Sequence, residues 1–500
     1  MGAARSFRPY DGTVNGSVED SSAGEVDAAV ARAARVAAQV AATPPRQRHV
    51  WCEALAAALD AATEELATLA DEETGLGPVR LRGEVARAAG QLRFYSRVAQ
   101  EGSHLGVTID AATRTTPELR RVHHPLGPVA VFGASNFPFA FGVLGHDTAS
   151  ALAAGCPVVV KAHPAHPLLS ARLVELATGA LDAAGAPAGV LAVVHGLQAG
   201  VALVQHPRIR AVGFTGSQAG GMALWRAACE RNEVVPVFAE MGTVNPVVVT
   251  TGGVADLSRL VAGFVESFTL GAGQFCTKPG LLLVPAGHGV AAAIGDHLAR
   301  TARPATLLTE GIACSAASGV ADLVAAGATA VAEVPGTDQG WSAGTVVLEA
   351  PAAAVVPGSR LLEECFGPVS IVVEYHSHEE LSDLLGRLQG CLVGAVMTGG
   401  DTDDEAPVVL AQLASMAGRV AVDTWPTGVA LGWAQHHGGP WPATTSPAHT
   451  SVGAAALTRW VRPVVYQSTP PAWLPEAGRP GNPWDVARRV DGVLAPAVAT

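Results

Sequence analysis

Cys276 lies in Gly271-Ala272-Gly273-Gln274-Phe275-Cys276-Thr277-Lys278-Pro279, framed by Gly273 before it and by Pro279-Gly280 after it. Small neighbours of this kind hold a thiol on a tight, open loop. A substrate carbon then has room to approach, and backbone N–H groups can receive the charge that develops on oxygen. Cysteine is also a small hydrophobe that buries easily, so the loop alone fits a nucleophile and a core residue equally. A partner for the thiol elsewhere in the chain would decide between them.

Four other segments carry side chains suited to chemistry. Glu240, in Pro236-Val237-Phe238-Ala239-Glu240-Met241-Gly242, follows an apolar run. Burial there would raise its pKa toward general-base use, whereas a solvated strand end would leave an ordinary carboxylate. Asn136, in Gly133-Ala134-Ser135-Asn136-Phe137-Pro138-Phe139, offers an amide for an oxyanion hole or for a turn. Lys161 closes the apolar run Pro157-Val158-Val159-Val160-Lys161. At the C-terminal end of a parallel strand it either donates to ribose and phosphate oxygens or simply faces solvent. Gly213-Phe214-Thr215-Gly216-Ser217 precedes a helix expected from near Gln218. Glycine at such a turn admits a phosphate to a helix N-terminus, but the spacing is not GxGxxG and a structural turn reads the same way. The histidines, including His163, His166 and the His436-His437 pair, show no ligand spacing and are read as structural or solvent-facing. No metal site is expected.

The elements that must position these residues alternate. Residues 24–100 read as helices, with apolar positions recurring at three and four through Val26-Ala29-Val30-Ala33 and Trp51-Leu55-Ala58-Leu59. From about 127 the pattern changes to short apolar runs, 128–133 ending in glycine, 157–161 ending in lysine, and 190–194, separated by helical stretches. That rhythm specifies a doubly wound parallel sheet. It restarts near 245 with Asn245–Thr250, a helix over 257–268, and strands at 281–284 and 369–373. The stretch after 440 is rich in Pro, Thr and Ser, and its apolar piece Trp460–Tyr466 reads as an arm or edge strand.

Composition sets outer bounds. The chain has 500 residues, 49% hydrophobic and 15% charged, enough for a large core and roughly three folding units at ~150 residues each. Its formal net charge of −12, without a Lys/Arg-rich run, argues against nucleic acid as a partner. The seven scattered cysteines lack CxxC or Cys/His spacing, which disfavours disulfides and zinc and fits a reduced, cytoplasmic compartment. No apolar run is long enough for a membrane span, so no membrane partner is expected.

Taken in chain order, Asn136, Lys161, Gly213–Ser217, Glu240, Cys276 and Glu364-Cys365-Phe366-Gly367-Pro368 resemble the motif series of the aldehyde dehydrogenase superfamily over nearly the whole chain. Within it, the stretches 131–138, 147–157 and 437–445 are closest to 2-oxoglutarate semialdehyde (2,5-dioxopentanoate) dehydrogenases and NADP-dependent fatty aldehyde dehydrogenases. The resemblance implies an α/β fold with two doubly wound Rossmann-type domains and a small oligomerisation arm. The cofactor-binding domain would span 1–105 and 125–244, and the catalytic domain 245–440. The arm would span 106–124 and 445–475, and a C-terminal tail 476–500.

It further implies that Cys276 attacks an aldehyde and that the Asn136 amide and the Cys276 N–H hold the oxyanion. Glu240 would activate water to hydrolyse the thioester. Lys161, Gly216, Ser217, Glu364 and Phe366 would hold NADP or NAD, and Phe137 and Phe275 would line the substrate tunnel. The partners implied are a small-molecule aldehyde and further copies of the chain, as a homodimer or homotetramer.

The chain departs from the family at several points. Pro164 stands where NAD-preferring members usually carry a glutamate, which makes NADP permissible. Met241 and Thr243 replace the commoner Leu and Gly. The tunnel segment Phe137–Gly142 carries no arginine, although a semialdehyde with a carboxylate calls for a cation. A medium- or long-chain aliphatic aldehyde is therefore the alternative substrate. A CoA-acylating dehydrogenase is a further reading, against which Glu240 argues, and a non-catalytic binding protein would have no need of the full residue set.

Overall fold

The computed structural model describes residues 2–497; Met1 and residues 498–500, the end of the expected tail, lie outside it. Two parallel sheets carry the fold. The first has five strands in the order Leu191–Val194, Val158–Lys161, Val129–Phe132, Ala211–Gly216 and Val237–Met241, all parallel. Its three inner strands are short, and Val129–Phe132 is buried along its whole length, as continuous apolar runs between helical layers require. Strand order reverses around Val129–Phe132, so the crevice opens beyond Phe132 and Gly216, where doubly wound sheets bind ligands.

Of the four helices between Ala23 and Glu101, Ala23–Ala42 packs on one face of this sheet and Pro45–Ala61, Thr63–Thr74 and Pro78–Glu101 lie over the other. The first begins with a reciprocal cap. The Ser22 hydroxyl accepts from the Glu25 N–H, and the Glu25 carboxylate accepts from the Ser22 N–H. The fourth, Pro78–Glu101, packs against the short buried helix His146–Ala154 and buries Leu81, Val85, Ala88 and Leu92 at helical spacing.

The chain passes from Val237–Met241 into the second sheet through Asn245–Val249. That sheet has seven strands in the order Thr329–Val334, Thr345–Glu349, Val369–Tyr375, Pro279–Pro285, Asn245–Val249, Cys391–Met397 and Ala417–Val422. Only the first of these runs antiparallel to its neighbour. Asn245–Val249 is again the strand about which the order reverses. The segment carrying Cys276 lies between the helix Leu257–Thr269 and the strand Pro279–Pro285.

A third sheet joins distant parts of the chain. Val461–Gln467 pairs with Leu119–Pro125, which pairs with Thr108–Asp110. The segment from 476 onward, expected as a tail, continues this sheet: Arg488–Val490 pairs in parallel with Thr108–Asp110, and Val493–Ala495 pairs with Arg488–Val490. The N-terminal hairpin Ala3–Phe7 with Val14–Glu19 was not expected from the sequence, because its strands are short and mixed in polarity. Among the described residues no helix is long and apolar enough to cross a membrane.

Candidate active site

A cavity of about 860 Å³ runs between the two parallel sheets. Asn136, Phe137, Gly216, Ser217, Glu240, Cys276, Glu364 and Phe366 all line it. Two of the expected site residues do not. Lys161 ends its strand beside Gly200, under the charge of Asp20, with burial lowering its pKa to about 8. Phe275 packs edge-on against Phe137, with ring centroids 5.1 Å apart.

The thiol is positioned by backbone geometry. Gly271, Ala272 and Gly273 all have positive φ, which turns the chain sharply after the helix Leu257–Thr269. Ala272 in this region costs roughly 1–2 kcal/mol and must be held by its surroundings. The holding contacts are present. Asn245 Nδ2 donates to the Cys276 carbonyl at 2.8 Å and to that of Lys278 at 3.0 Å. Buried Gln274 accepts from the Leu308 N–H at 3.0 Å, and Thr277 Oγ1 accepts from the Gly428 N–H at 2.9 Å. The Lys278 ammonium is buried and donates to the carbonyls of Cys365 and Val369, tying the Cys276 loop to the segment that bears Glu364 and Phe366.

Two groups converge on the sulfur. Ligand atoms of Glu240, Cys276 and His437 lie within 4.8 Å of one another. His437 Nε2 is 3.6 Å from the Cys276 Sγ, in hydrogen-bond alignment. The same nitrogen is 3.0 Å from Glu240 Oε1, but out of line, so that oxygen is left without a hydrogen bond. Glu240 Oε2 accepts from the Ser451 hydroxyl at 2.7 Å. His437 is held by its backbone: its N–H donates to Thr450 Oγ1 at 2.7 Å, and its carbonyl accepts from the Ser451 N–H. The following segment runs along the last strand of the first sheet, with Met241 N–H on the Ala443 carbonyl, which brings the imidazole to Glu240.

Charge follows from this packing. Burial pushes the Glu240 carboxyl up, but His437 and the Ser451 hydroxyl more than offset it, and the group stays below its ordinary value. The raised pKa expected from the sequence is thus reversed by a neighbour that the sequence left unassigned. The Cys276 thiol lies well above its ordinary value, through burial and then the charges of Glu240 and Glu364. Glu364 is raised to about 7 by burial, against the opposing charge of Lys278. Asn136 is buried, and its Nδ2 donates to the Gln274 carbonyl at 2.8 Å, which fixes the amide against the loop of Cys276.

The cavity walls fit a dinucleotide. Ser217 caps the helix Gln218–Cys229 by accepting from the Gly220 N–H, at the N-terminus that faces the crevice. At Gly242 a β-carbon would overlap the Glu364 carboxylate, so the backbone closes on that side chain only because the residue is glycine. Pro164 lines the cavity, and no carboxylate stands at that position.

Cys276, Glu240 and Asn136, the candidates the sequence offers, line one cavity. His437 was read in the sequence as structural, although its segment had been singled out for another reason, its likeness to 2-oxoglutarate semialdehyde dehydrogenases. Arg80 and Arg87, on the helix Pro78–Glu101, were not singled out. Their guanidinium groups stand 5.1 and 5.7 Å from the centroid of the Phe137 ring. The available signal was the run Arg80, Glu84, Arg87, Gln91, a polar stripe at helical spacing beside an apolar face.

A thiol, two neighbouring titratable groups and a dinucleotide-shaped cleft between two doubly wound sheets define the class as a dinucleotide-dependent oxidoreductase. Residues 2–446 match the aldehyde dehydrogenase family, and the chain belongs to it. It is an NAD(P)-dependent aldehyde dehydrogenase. It is 43% identical over 466 residues to alpha-ketoglutaric semialdehyde dehydrogenase 2 of Azospirillum brasilense, covering 90% of this chain and 88% of the relative. It is 38% identical over 481 residues to the alpha-ketoglutaric semialdehyde dehydrogenase of Acinetobacter baylyi, covering 94% and 91%. Among solved structures, PnpE in complex with nicotinamide adenine dinucleotide superposes with a TM-score of 0.80 at 24% identity, covering 93% of this chain and 94% of that one. A Thermus 1-pyrroline-5-carboxylate dehydrogenase with bound NAD gives 0.81 at 22%, covering 93% and 90%.

Proposed function

We propose that this enzyme oxidises 2,5-dioxopentanoate, the semialdehyde of 2-oxoglutarate, to 2-oxoglutarate. The observation that carries the chemistry is the convergence of Cys276, His437 and Glu240 on one cavity. The substrate is supported by the two relatives above, both alpha-ketoglutaric semialdehyde dehydrogenases.

In this reading the Cys276 sulfur attacks the aldehyde carbon as His437 Nε2 takes the thiol proton. The free hydrogen of the Asn136 amide and the Cys276 N–H receive the oxyanion of the thiohemiacetal. NAD(P) bound in the cleft would supply the hydride acceptor for that carbon, so that a thioester would remain on Cys276. Glu240, ionised and with Oε1 free of a hydrogen bond, takes a proton from the water that hydrolyses it. Gly216, Ser217, Glu364 and Phe366, which line the cleft, would hold the cofactor there together with Lys161.

On the same reading, residues 1–105 and 125–244 form the cofactor domain, 245–440 the catalytic domain, and 106–124 with 445–475 the arm. The exposed Val465 on the outer strand Val461–Gln467 supports assembly into a homodimer or homotetramer. Seven free cysteines support residence in the reducing cytoplasm.

Initial rates on 2,5-dioxopentanoate, succinic semialdehyde and hexanal, each with NAD+ and NADP+, test the proposal. The highest kcat/KM is expected for 2,5-dioxopentanoate. A preference for hexanal would replace this substrate by an aliphatic aldehyde.

A further inference from the structure

The tunnel segment Phe137–Gly142 has no cation, yet a substrate ending in a carboxylate needs one. The fold supplies cations from elsewhere. Arg80 and Arg87 lie two turns apart on the helix Pro78–Glu101, and both guanidinium groups stand over the ring of Phe137, which lines the cavity with Cys276. Arg80 also stands 5.1 Å from the centroid of Phe275, the residue before the nucleophile. Among the described residues, the buried Nη1 of Arg80 and the buried Nη2 of Arg87 have no hydrogen-bond partner. An unpaired buried guanidinium N–H is costly, and two of them behind one ring of the cavity wall mark a place for an anion.

The surrounding groups fix the charge of this site. Glu84, on the same helix, is buried and spends Oε1 on the N–H groups of Phe139 and Ala140, at 2.9 and 3.0 Å. Its Oε2 is unpartnered as well, and the carboxylate offsets one of the two cations. Arg419 is near enough to feel the charge of Cys276, but its Nη2 is used by the carbonyls of Pro426 and Gly428. Arg80 likewise spends Nη2 on the Asn136 carbonyl at 2.7 Å. Both arginines are half-buried, and Cys276 lies near enough for its charge to act on Arg87.

We infer that Arg87, with Arg80 beside it, forms the subsite for the carboxylate at the far end of the substrate, and that this pair selects aldehydes carrying such a group. Phe137 is the spacer: its ring separates the guanidinium groups from the thiol and packs along the methylene chain between the substrate's two ends. The inference rests on the proposed function and names the residues that give it specificity.

The test compares wild type, Arg87→Met and Arg87→Lys on 2,5-dioxopentanoate and on pentanal, which has a similar chain and no carboxylate. The ratio of kcat/KM for the two substrates is expected to fall roughly ten- to hundredfold in Arg87→Met, mainly through KM, as loss of a charge-assisted bond predicts. Arg87→Lys, which keeps a charge without the fork, should fall between. Binding of 2-oxoglutarate, followed by tryptophan fluorescence without cofactor, should weaken in the same order. An unchanged ratio, or equal losses on both substrates, overturns the assignment of Arg87 while leaving the proposed function standing. A wild type that favours pentanal overturns both.

Discussion

The Cys276 thiol lies beside Glu240 and Glu364, and their charges add to burial in holding its pKa well above the usual range. A thiol held this way is protonated at neutral pH, so its attack on carbon requires a base within reach. His437 Nε2 is aligned with the sulfur, whereas Glu240 Oε1 is near the same nitrogen but out of line. In the proposed mechanism the two bases therefore separate by half-reaction: the imidazole serves thiol addition and the carboxylate serves thioester hydrolysis. Glu240→Gln is expected to retain a burst of reduced cofactor equal to the active sites and then turn over about 10²- to 10⁴-fold more slowly. His437→Asn should lose the burst itself, with steady-state rate and burst rate falling together. Stopped-flow absorbance at 340 nm distinguishes them, and a full-rate burst in His437→Asn would remove the histidine from the first step. Cys276 and Glu240 could be read in the sequence because each sits in a recognisable local segment. His437 could not, because its role depends on a contact across 161 residues, and its nearest neighbours in sequence suggest only a turn.

At the scale of elements, loops at the C-terminal ends of strands hold the chemistry, and their shape depends on backbone approach. Gly273 has φ 67°, and a β-carbon there would overlap the carbonyl of Gly367, on the loop that follows Glu364 and Phe366. One residue thus sets both the position of the nucleophile and the wall opposite it. Gly273→Ala adds a left-handed strain of roughly 1–2 kcal/mol to a backbone clash that neither loop can relieve without moving. The expected result is a fall in kcat of at least tenfold and slower alkylation of Cys276 by iodoacetamide, with far-UV circular dichroism unchanged. A variant with wild-type alkylation and turnover would show that the two loops move independently. The buried strands and long amphipathic helices were readable from apolar periodicity, since burial on one or both faces writes itself into residue order. The hairpin Ala3–Phe7 with Val14–Glu19 was not, because its strands are mostly exposed or half-buried and gain their place from pairing with each other and from packing on the helices Thr63–Thr74 and Pro167–Ala183. Arg80 and Arg87 fell between these cases: their spacing was visible, but the ring they face was not.

For the molecule as a whole, the third sheet shows how much stability can sit away from the site. Strands from 108–110, 119–125, 461–467 and 488–495 share it, so it closes the chain's end onto the end of the helix Pro78–Glu101. The Ala487 N–H donates to the Glu101 carbonyl at 2.9 Å, and the Arg488 guanidinium donates to the carbonyls of Arg479 and Ala477. Val486 is fully buried in a cluster with Leu105, Val107, Ile109, Val122 and Ala477, with Trp484 packed against it. None of residues 476–497 lines the cavity that holds Cys276. Ending the chain after Asn482 would therefore remove core packing worth about 2–5 kcal/mol, while leaving the catalytic groups in place. Differential scanning calorimetry should find Tm lower by several degrees, with kcat/KM at 25 °C within about twofold of the full chain at that level of perturbation. An unchanged Tm would mean that the terminal strands decorate the sheet without stabilising it. Loss of activity in a truncated chain that remains folded would instead mean that the sheet sets the relative position of the two Rossmann-type halves, and hence the distance from Cys276 to the cofactor cleft.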